Sequence, residues 1–194
     1  MSMIHLVINN KMNKQVTFVS LIICIFRVAS YDPDYYWRDY HGSIPSDAIV
    51  GGRDSRGSPT YIGQAFVLHH GILIGQIYPG QKSLTTSKEK IHVTDVYNRI
   101  LCSGHKENFS WVPGNAATLH LTTINKHLVS GGTEWGKILN IGRVKYQGEL
   151  IVGKVCSGTI GKAKLYFPYK GEEIECDSYE VLVYEENPNN VMSV

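Results

Sequence analysis

Two carboxylates occupy matching places in this sequence. Asp54 stands two positions after the glycine pair at 51–52, and Glu134 stands two positions after the glycine pair at 131–132. A carboxylate only accepts hydrogen bonds, and it can take two neighbouring hydroxyl groups at once. An acid in a glycine-rich turn, however, often does no more than cap the amides of its own turn. Each acid is therefore either a ligand-binding group or a turn cap.

Each copy has a second polar residue further along the chain, directly after a later glycine. Gln76 comes 22 positions after Asp54, and Lys154 comes 20 positions after Glu134. The Lys154 ammonium can donate charge-assisted hydrogen bonds to a polar ligand, whereas the amide of Gln76 donates without charge. A lysine at the end of a strand is more often simply solvated. Trp135, directly after Glu134, offers a ring that either covers a ligand or packs against its own hairpin.

Patterns that mark catalysis or metal binding are missing from the sequence. Its eight histidines form no His-x-His or His-Glu-x-x-His pattern and have no partner at ligand spacing. It contains no Gly-x-Ser-x-Gly elbow, phosphate loop or dinucleotide fingerprint. The acids at 172, 173, 175 and 177 suit a solvated hairpin edge better than a calcium site, which needs six to eight oxygen ligands. We therefore expect no enzyme, no cofactor, no metal and no calcium requirement.

The acids and their partners lie on an internal duplication. The two glycine pairs are 80 positions apart, and Gly63 and Gly142 in the following strands are 79 apart. Each copy opens with a tryptophan and a proline and closes on an apolar run led by tyrosine, at residues 97–101 and 179–183. Landmarks that recur in one order indicate a repeat, which then organises the whole chain.

Short strands must position these residues. No window has a convincing helical period, and glycine turns at 70–71, 147–148 and 170–171 separate the apolar runs. The 19 glycines and 12 tyrosines favour turns and strands over helices. The sequence therefore predicts an all-β fold of short antiparallel strands in one compact domain.

Composition excludes one class of partner. The chain has 194 residues, 43% of them hydrophobic and 19% charged, and a net charge of +2. Its lysines and arginines are scattered, so it has no electrostatic footprint for nucleic acid. The length suits a domain with its own core.

The N-terminus has the layout of a secretory leader. Residues 18–26 are apolar, Lys11 and Lys14 precede them, and small residues at 28–30 follow. The apolar run is too short to span a bilayer, although a buried strand or a short anchor is an alternative. We predict a signal peptide at 1–30, hence a secreted protein with no membrane span in the mature chain. A cytoplasmic or vesicular location is the alternative.

Glycosylation and disulfide bonding are the modifications that the sequence suggests. Asn108 begins an Asn-Phe-Ser sequon between the copies, where we expect an exposed loop. Removal of the leader would leave Cys102, Cys156 and Cys176, an odd number. A Cys156–Cys176 disulfide is the first pairing to consider, and three buried free thiols are equally consistent with the sequence.

With these motifs laid out, the chain resembles the DM-nine repeat family. That repeat runs from a tryptophan through a Gly-Gly-x-Asp turn and a Tyr-[Val/Ile]-Gly-Arg-Ala strand to a Gly-Lys turn and a final Tyr-Glu-Val-Leu-Val. Residues 37–102 match it with gaps, and residues 111–184 match it with an insertion at 113–126. The resemblance implies two intertwined repeats, frequent pairing as a homodimer, and a lectin-like role in innate immunity with mannose-type glycans as ligands.

The resemblance also assigns roles to individual residues. It makes the acid after the glycine pair and the lysine after the later glycine the sugar-contacting groups, which maps them to Asp54 with Gln76 and to Glu134 with Lys154. The strand arginine is Arg143 in the second copy, and Trp135 is the ring. Sugar binding therefore belongs to the second copy, is shared between the copies, or has been lost, which leaves a non-catalytic protein-interaction module. The expected divisions are a leader at 1–30, a first repeat with its arm at 31–102, a joint at 103–110, a second repeat at 111–184 and a tail at 185–194.

Overall fold

The computed structural model describes residues 33–185. The leader expected at 1–30 and all but the first residue of the tail lie outside these residues. The first repeat contributes β1 (Tyr36–Asp39), β2 (Val50–Arg53), β3 (Pro59–Val67), β4 (Gly71–Ile77), β5 (Leu84–Lys88), β6 (Lys90–Thr94) and β7 (Arg99–Cys102). The second contributes β8 (Phe109–Asn115), β9 (His127–Leu128), β10 (Ser130–Glu134), β11 (Lys137–Tyr146), β12 (Glu149–Cys156), β13 (Lys164–Tyr169), β14 (Glu172–Cys176) and β15 (Ser178–Tyr184). A 3₁₀ turn (Lys106–Asn108) and one helical turn, α1 (Leu119–Thr122), complete the elements.

The two repeats have the same antiparallel strand order. In the first, β2 pairs with β3, β3 with β4, β4 with β5, and β5 with β6, while β7 joins β3 to β1. In the second, β10 to β14 pair in the same sequence, and β15 joins β11 to β8. The all-β prediction and the duplication are confirmed by this repeated pairing.

The repeats are intertwined because each lends a strand to the other. β2 of the first repeat pairs with β12 of the second at Arg53 and Leu150. β10 of the second pairs with β4 of the first, where Thr133 faces Ile72. The described strands therefore form one continuous fifteen-stranded arrangement.

The glycine pairs permit this exchange. A Cβ on Gly51 would lie 2.6 Å from both Ile62 and Val152, and one on Gly131 would lie 2.4 Å from Ile74. The second glycine of each pair lies against the backbone of the other repeat. Only glycine lets these strands approach so closely, which explains why the pair occurs in both copies.

A shared core lies beneath the exchanged strands. One cluster joins side chains of both repeats, including Ile62, Leu73, Ile141 and Val152, each at most 1% exposed. Smaller clusters lie under each repeat, around Leu165 and Phe167 in the second and around Ile77 and Leu84 in the first. Both repeats therefore contribute to one core.

Several segments differ from the sequence predictions. The arm before residue 45 contains β1, which pairs with β7, although it has no apolar period of its own. β5 and β8 were not predicted, and β8 begins inside the expected joint at 103–110. The insertion includes the single helical turn α1. These strands form because they pair with segments that are distant in sequence, and a short stretch of sequence does not reveal such pairing.

The Cys156–Cys176 disulfide considered above is not formed, and Cys102 is also a free cysteine. β13 lies between the two residues, since Cys156 faces Lys164 across one of its edges and Cys176 faces Leu165 across the other. Two strand spacings amount to about 9.5 Å, beyond the roughly 7 Å that a disulfide spans between Cα atoms. Cys102 is buried, whereas the other two thiols are half-buried.

The sequon asparagine is not on an exposed loop. Asn108 is 8% exposed, and its Nδ2 donates to the Tyr184 hydroxyl at 3.3 Å. The backbone carbonyl of Asn108 accepts a hydrogen bond from the Glu185 amide at 2.9 Å. A glycan on Nδ2 would have no exit from this position, so the expected exposure of Asn108 is wrong.

Within residues 33–185, no helix is long and apolar enough to cross a membrane.

Candidate functional site

Four charged side chains meet where the strands of the two repeats come together, and we call them the charged quartet. The Lys154 Nζ lies 2.6 Å from Glu134 Oε2 and 3.3 Å from Glu173 Oε1. The Lys88 Nζ lies 2.9 Å from the other Glu134 oxygen. The Glu89 amide donates to Glu173 Oε2 at 3.1 Å. The sequence-predicted pair of Glu134 and Lys154 is thus brought into direct contact.

Four different strands supply the quartet. Glu134 ends β10 opposite Gly71 of β4, and Lys154 lies in β12 opposite Tyr166 of β13. Lys88 ends β5 of the first repeat, while Glu173 lies in β14 of the second. The site is therefore composite: the second repeat supplies three members, and the intertwining of the repeats adds Lys88 from the first.

The quartet is largely removed from water. Lys154 is 1% exposed and Glu134 is 8% exposed, whereas the side chains of Lys88 and Glu173 are each 19% exposed. Buried charges are tolerated only when they are paired. The alternative that Lys154 is a solvated strand-end lysine is therefore wrong.

Trp135 forms the rim above these charges. Trp135 is 63% exposed, the Lys88 Nζ lies 4.4 Å from the centroid of its ring, and its Nε1 donates to the His69 carbonyl at 3.2 Å. A cavity of about 270 Å³ opens below the ring, bounded also by the quartet and by Tyr166 and Cys156. An exposed ring over paired charges can cover an apolar ligand face while the charges receive polar groups.

The surroundings of the quartet hold Glu134 ionised. Burial alone would raise the pKa of Glu134, but hydrogen bonds from Lys154 and Lys88, together with their charges, hold it below its ordinary 4.5. Burial would likewise lower the pKa of Lys88, and its bond to Glu134 outweighs this and raises the pKa above 10.5. Both residues are thus charged at neutral pH.

We expect acid to destabilise the protein partly through Glu134. A depressed carboxyl pKa contributes stability that is present above the unfolded value of 4.5 and is lost as the pH falls through the folded value. Urea unfolding between about pH 3 and pH 7 should show this decline. Glu134→Gln should make the decline shallower, whereas Glu175→Gln, which removes an exposed carboxylate, should change it little. Equal slopes in the protein and in Glu134→Gln would contradict this expectation.

The corresponding place in the first repeat is chemically different. Asp54 Oδ1 accepts from the Arg56 amide at 2.9 Å and the Ser58 amide at 2.8 Å, which is the turn cap considered above. Gln76 is 3% exposed, and its Oε1 accepts from the Val152 amide at 2.8 Å. Gln76 lines a cavity of about 290 Å³ that Asp54 does not line. In this structure the side chains of Asp54 and Gln76 both accept hydrogen bonds from backbone amides.

Arg143 lies outside the cavity below Trp135. Its Nε donates to Glu180 at 2.6 Å, its guanidinium covers the Trp111 ring at 4.1 Å, and its Nη1 reaches the Gly51 carbonyl at 3.4 Å. At the matching place in the first repeat, the Gln64 amide donates to the Gly131 carbonyl at 3.1 Å. Arg143 therefore ties the repeats together and does not join the predicted sugar site.

Lys88 and Glu173 were missed at the sequence level. Lys88 lies in a strand that was not predicted, and Glu173 was assigned to a solvated hairpin edge. The alternation of side chains along β14 was the signal that could have found Glu173. Its two neighbours in the strand point to the opposite face of the sheet, so Glu173 does not share their surroundings. Among the described residues, no group of three or more histidines, cysteines or acids is arranged to hold a metal ion.

The fold and the site together define a duplicated all-β protein whose repeats exchange strands and share one charged cavity. The DM9 repeat matches this sequence twice, over residues 9–94 and 84–175. The chain belongs to the DM9 repeat family.

The fold also occurs in a solved structure of a different protein. The nematode sperm cell motility protein MFP2B superposes with a TM-score of 0.58 and 12% sequence identity, over 81% of this chain and 47% of that one. This chain thus corresponds to about half the length of that protein, and the likeness concerns the fold alone. No curated protein matches the sequence.

Proposed function

We propose that this protein is a carbohydrate-binding recognition protein, lectin-like, with mannose-type glycans as ligands and a role in innate immunity. The observation that supports the proposal is the exposed Trp135 ring above the charged quartet. A sugar has an apolar face that suits the ring and hydroxyls that suit paired acids and bases. Membership of the DM9 repeat family agrees with it.

The quartet retains capacity for hydroxyl groups although its members are paired. An ammonium has three donors, and the Lys88 Nζ has one carboxylate contact, with Glu134. Each carboxylate has about four acceptor sites, and Glu134 has one lysine contact on each oxygen. A ligand can therefore bind without breaking the quartet, and its first contacts are Lys88, Glu173 and Trp135, which are the more exposed groups.

One such shallow site binds weakly. We expect roughly millimolar affinity for a monosaccharide, about −4 kcal/mol. A homodimer would present the site at least twice, and linked sites raise avidity on the order of a hundredfold. A glycan array carrying mannose-type and microbial glycans tests the proposal. Absence of signal on every such glycan would refute it.

Removing the ring should weaken sugar binding without unfolding the protein. Because the Trp135 side chain is 63% exposed, Trp135→Ala should leave the unfolding midpoint nearly unchanged. The affinity for methyl α-mannoside should fall about tenfold, equivalent to about 1.4 kcal/mol. Ile160→Ala, at a side chain 77% exposed that does not line this cavity, is the matched control. Unchanged affinity in Trp135→Ala by titration calorimetry would contradict the assignment.

A protein-interaction module that no longer binds sugar is the second candidate. Each carboxylate oxygen of Glu134 already contacts a lysine, so the quartet is also a self-sufficient clamp between the repeats. In that case the array stays silent while quartet variants still lose stability. The same array therefore separates the two candidates.

The proposal is of a binding protein and not of an enzyme. Cys156 is the one thiol that lines the quartet cavity, and burial raises its pKa to about 11. The thiol is therefore protonated at neutral pH and a poor nucleophile. The location that accompanies this function is extracellular, which N-terminal sequencing of secreted protein beginning at Tyr31 would support and an intact Met1 in the cytosol would refute.

A further inference from the structure

A third cavity, of about 600 Å³, lies on the first repeat. It is bounded by the end of β1, the middle of β3 and the turn between β6 and β7. No residue lines both this cavity and the one below Trp135. The two cavities therefore have separate linings.

An aromatic ring is held in the open at its edge. Tyr97 has a φ of 54°, in the left-handed region that a bulky side chain rarely adopts, and its side chain is 85% exposed. Phe66, on the neighbouring wall, is 54% exposed. Tyr97 and Phe66 thus present two exposed aromatic rings at this cavity, and such rings can cover the apolar face of a ligand.

The polar groups of this cavity are balanced in charge. Asp39 Oδ1 accepts from Arg99 Nε at 3.1 Å, and both side chains are more than half exposed. Asp95 and Lys82 supply a second charge of each sign. A ligand with a net charge therefore gains little here, whereas a neutral ligand with both donors and acceptors is matched.

Asn98 adds a buried acceptor. It is 2% exposed, and its Nδ2 donates to the carbonyls of Lys82 at 3.3 Å and Thr94 at 2.9 Å. Its Oδ1 is buried and has no hydrogen-bond partner within residues 33–185. A purely apolar ligand would leave that oxygen unpaired, which is costly, while a hydroxyl donor would satisfy it.

The second repeat has a different side chain at this place. Gln64 faces Arg99 as Arg143 faces Glu180, so Asn98 corresponds to Tyr179. The alignment of Tyr97 with Tyr179 that the sequence suggested is therefore wrong by one residue. Tyr179 is 6% exposed and packs in a core cluster with Leu119 of the insertion. The polar wall around Asn98 is therefore particular to the first repeat.

We propose that this cavity is a second saccharide-binding site, specific for neutral sugars, in which Tyr97 and Phe66 cover the apolar face of the ring. Asn98, Asp39 and Arg99 then take its hydroxyls. Aromatic faces beside a charge-balanced set of donors and acceptors are the chemistry that a neutral polyhydroxylated ring requires. The proposal goes beyond the site below Trp135 and does not depend on it.

Side-chain N–H signals separate the two sites in one experiment. Full-length ¹⁵N-labelled protein is titrated with D-mannose, D-galactose and N-acetylglucosamine, each to about 50 mM because millimolar affinity is expected. The Asn98 Nδ2 and Arg99 Nε signals report binding in this cavity, and the Trp135 indole signal reports binding in the cavity below Trp135. We expect saturable shifts of the Asn98 and Arg99 signals with at least one sugar.

Variants at Tyr97 test the ring directly. Tyr97→Asn removes the ring and places a residue that tolerates the left-handed region, so the fold should be retained. It should weaken this binding at least about tenfold, while Tyr97→Phe should keep it within about threefold. Shifts confined to the Trp135 signal would support the proposed function and overturn this second site. Shifts at Asn98 that persist at full affinity in Tyr97→Asn, or no shift with any of the three sugars, would also overturn it.

Discussion

Lys154→Met should destabilise the fold by about 3–5 kcal/mol, because it removes the central cation of a buried ion network. Lys154 is 1% exposed and contacts both Glu134 and Glu173, so its loss leaves carboxylates short of a partner. The sequence alone favours a solvated lysine at the end of a strand, whose removal would cost little stability, and the burial of Lys154 overturns that expectation. Urea unfolding at neutral pH measures the change as a shift of the midpoint at constant slope.

Two further variants show whether burial of the charge is the cause. Lys164→Met removes a lysine with two exposed ion pairs on the neighbouring strand β13, and it should change the midpoint little. Adding Glu173→Gln to Lys154→Met should restore part of the loss, because the buried uncompensated carboxylate is then gone. Equal midpoints for Lys154→Met and Lys164→Met would show that the quartet does not stabilise the fold.

Lys154→Met should also weaken sugar binding, and more than Gln76→Met does. Lys154 contacts the acid of the cavity below Trp135, whereas Gln76 is bound to the Val152 amide. Binding is measured on protein that circular dichroism shows to be folded, so that loss of affinity and loss of structure are distinguished. If Asp54→Ala abolished binding while Glu134→Gln and Lys154→Met left it unchanged, the assignment to the second repeat would be wrong.

Gly132→Ala should be among the most damaging substitutions that add a single methyl group, with a loss of about 3 kcal/mol or more. A Cβ on Gly132 would lie 2.1 Å from the Ile72 carbonyl oxygen, which belongs to the backbone of the other repeat. Backbone cannot rotate away as a side chain can, so β10 and β4 must separate. Because that pairing intertwines the repeats, the damage extends to the shared core.

Two other glycines provide the comparison. Gly52→Ala should behave like Gly132→Ala, because its Cβ would lie 2.0 Å from the Leu150 carbonyl oxygen in the matching pairing. Gly104→Ala has nothing within 4 Å and should be close to neutral. Thermal unfolding of the three variants is the measurement. A Gly132→Ala protein as stable as Gly104→Ala would show that the strand exchange tolerates a wider spacing.

The sequence by itself determined the features that depend on neighbours along the chain. The hairpin turns at 70–71, 147–148 and 170–171 follow from Gly71, Gly148 and Gly171, each of which has a positive φ. The duplication follows from landmarks that recur in order, and it implies that both copies share one strand pattern. The repeat motif also singled out Glu134 and Lys154 as a functional pair, although it assigned both to a sugar and did not predict their ion pair.

Only the tertiary structure decided which strands that are distant in sequence become neighbours, both within a repeat and between the repeats. That choice brought Lys88 and Glu173 to Glu134 and Lys154, and it directed Arg143 to Trp111 instead. It also buried Asn108 against Tyr184 and placed β13 between Cys156 and Cys176. The physical reason is that these contacts come from burying apolar faces of distant strands against one another, and such long-range pairing leaves no local pattern in the sequence.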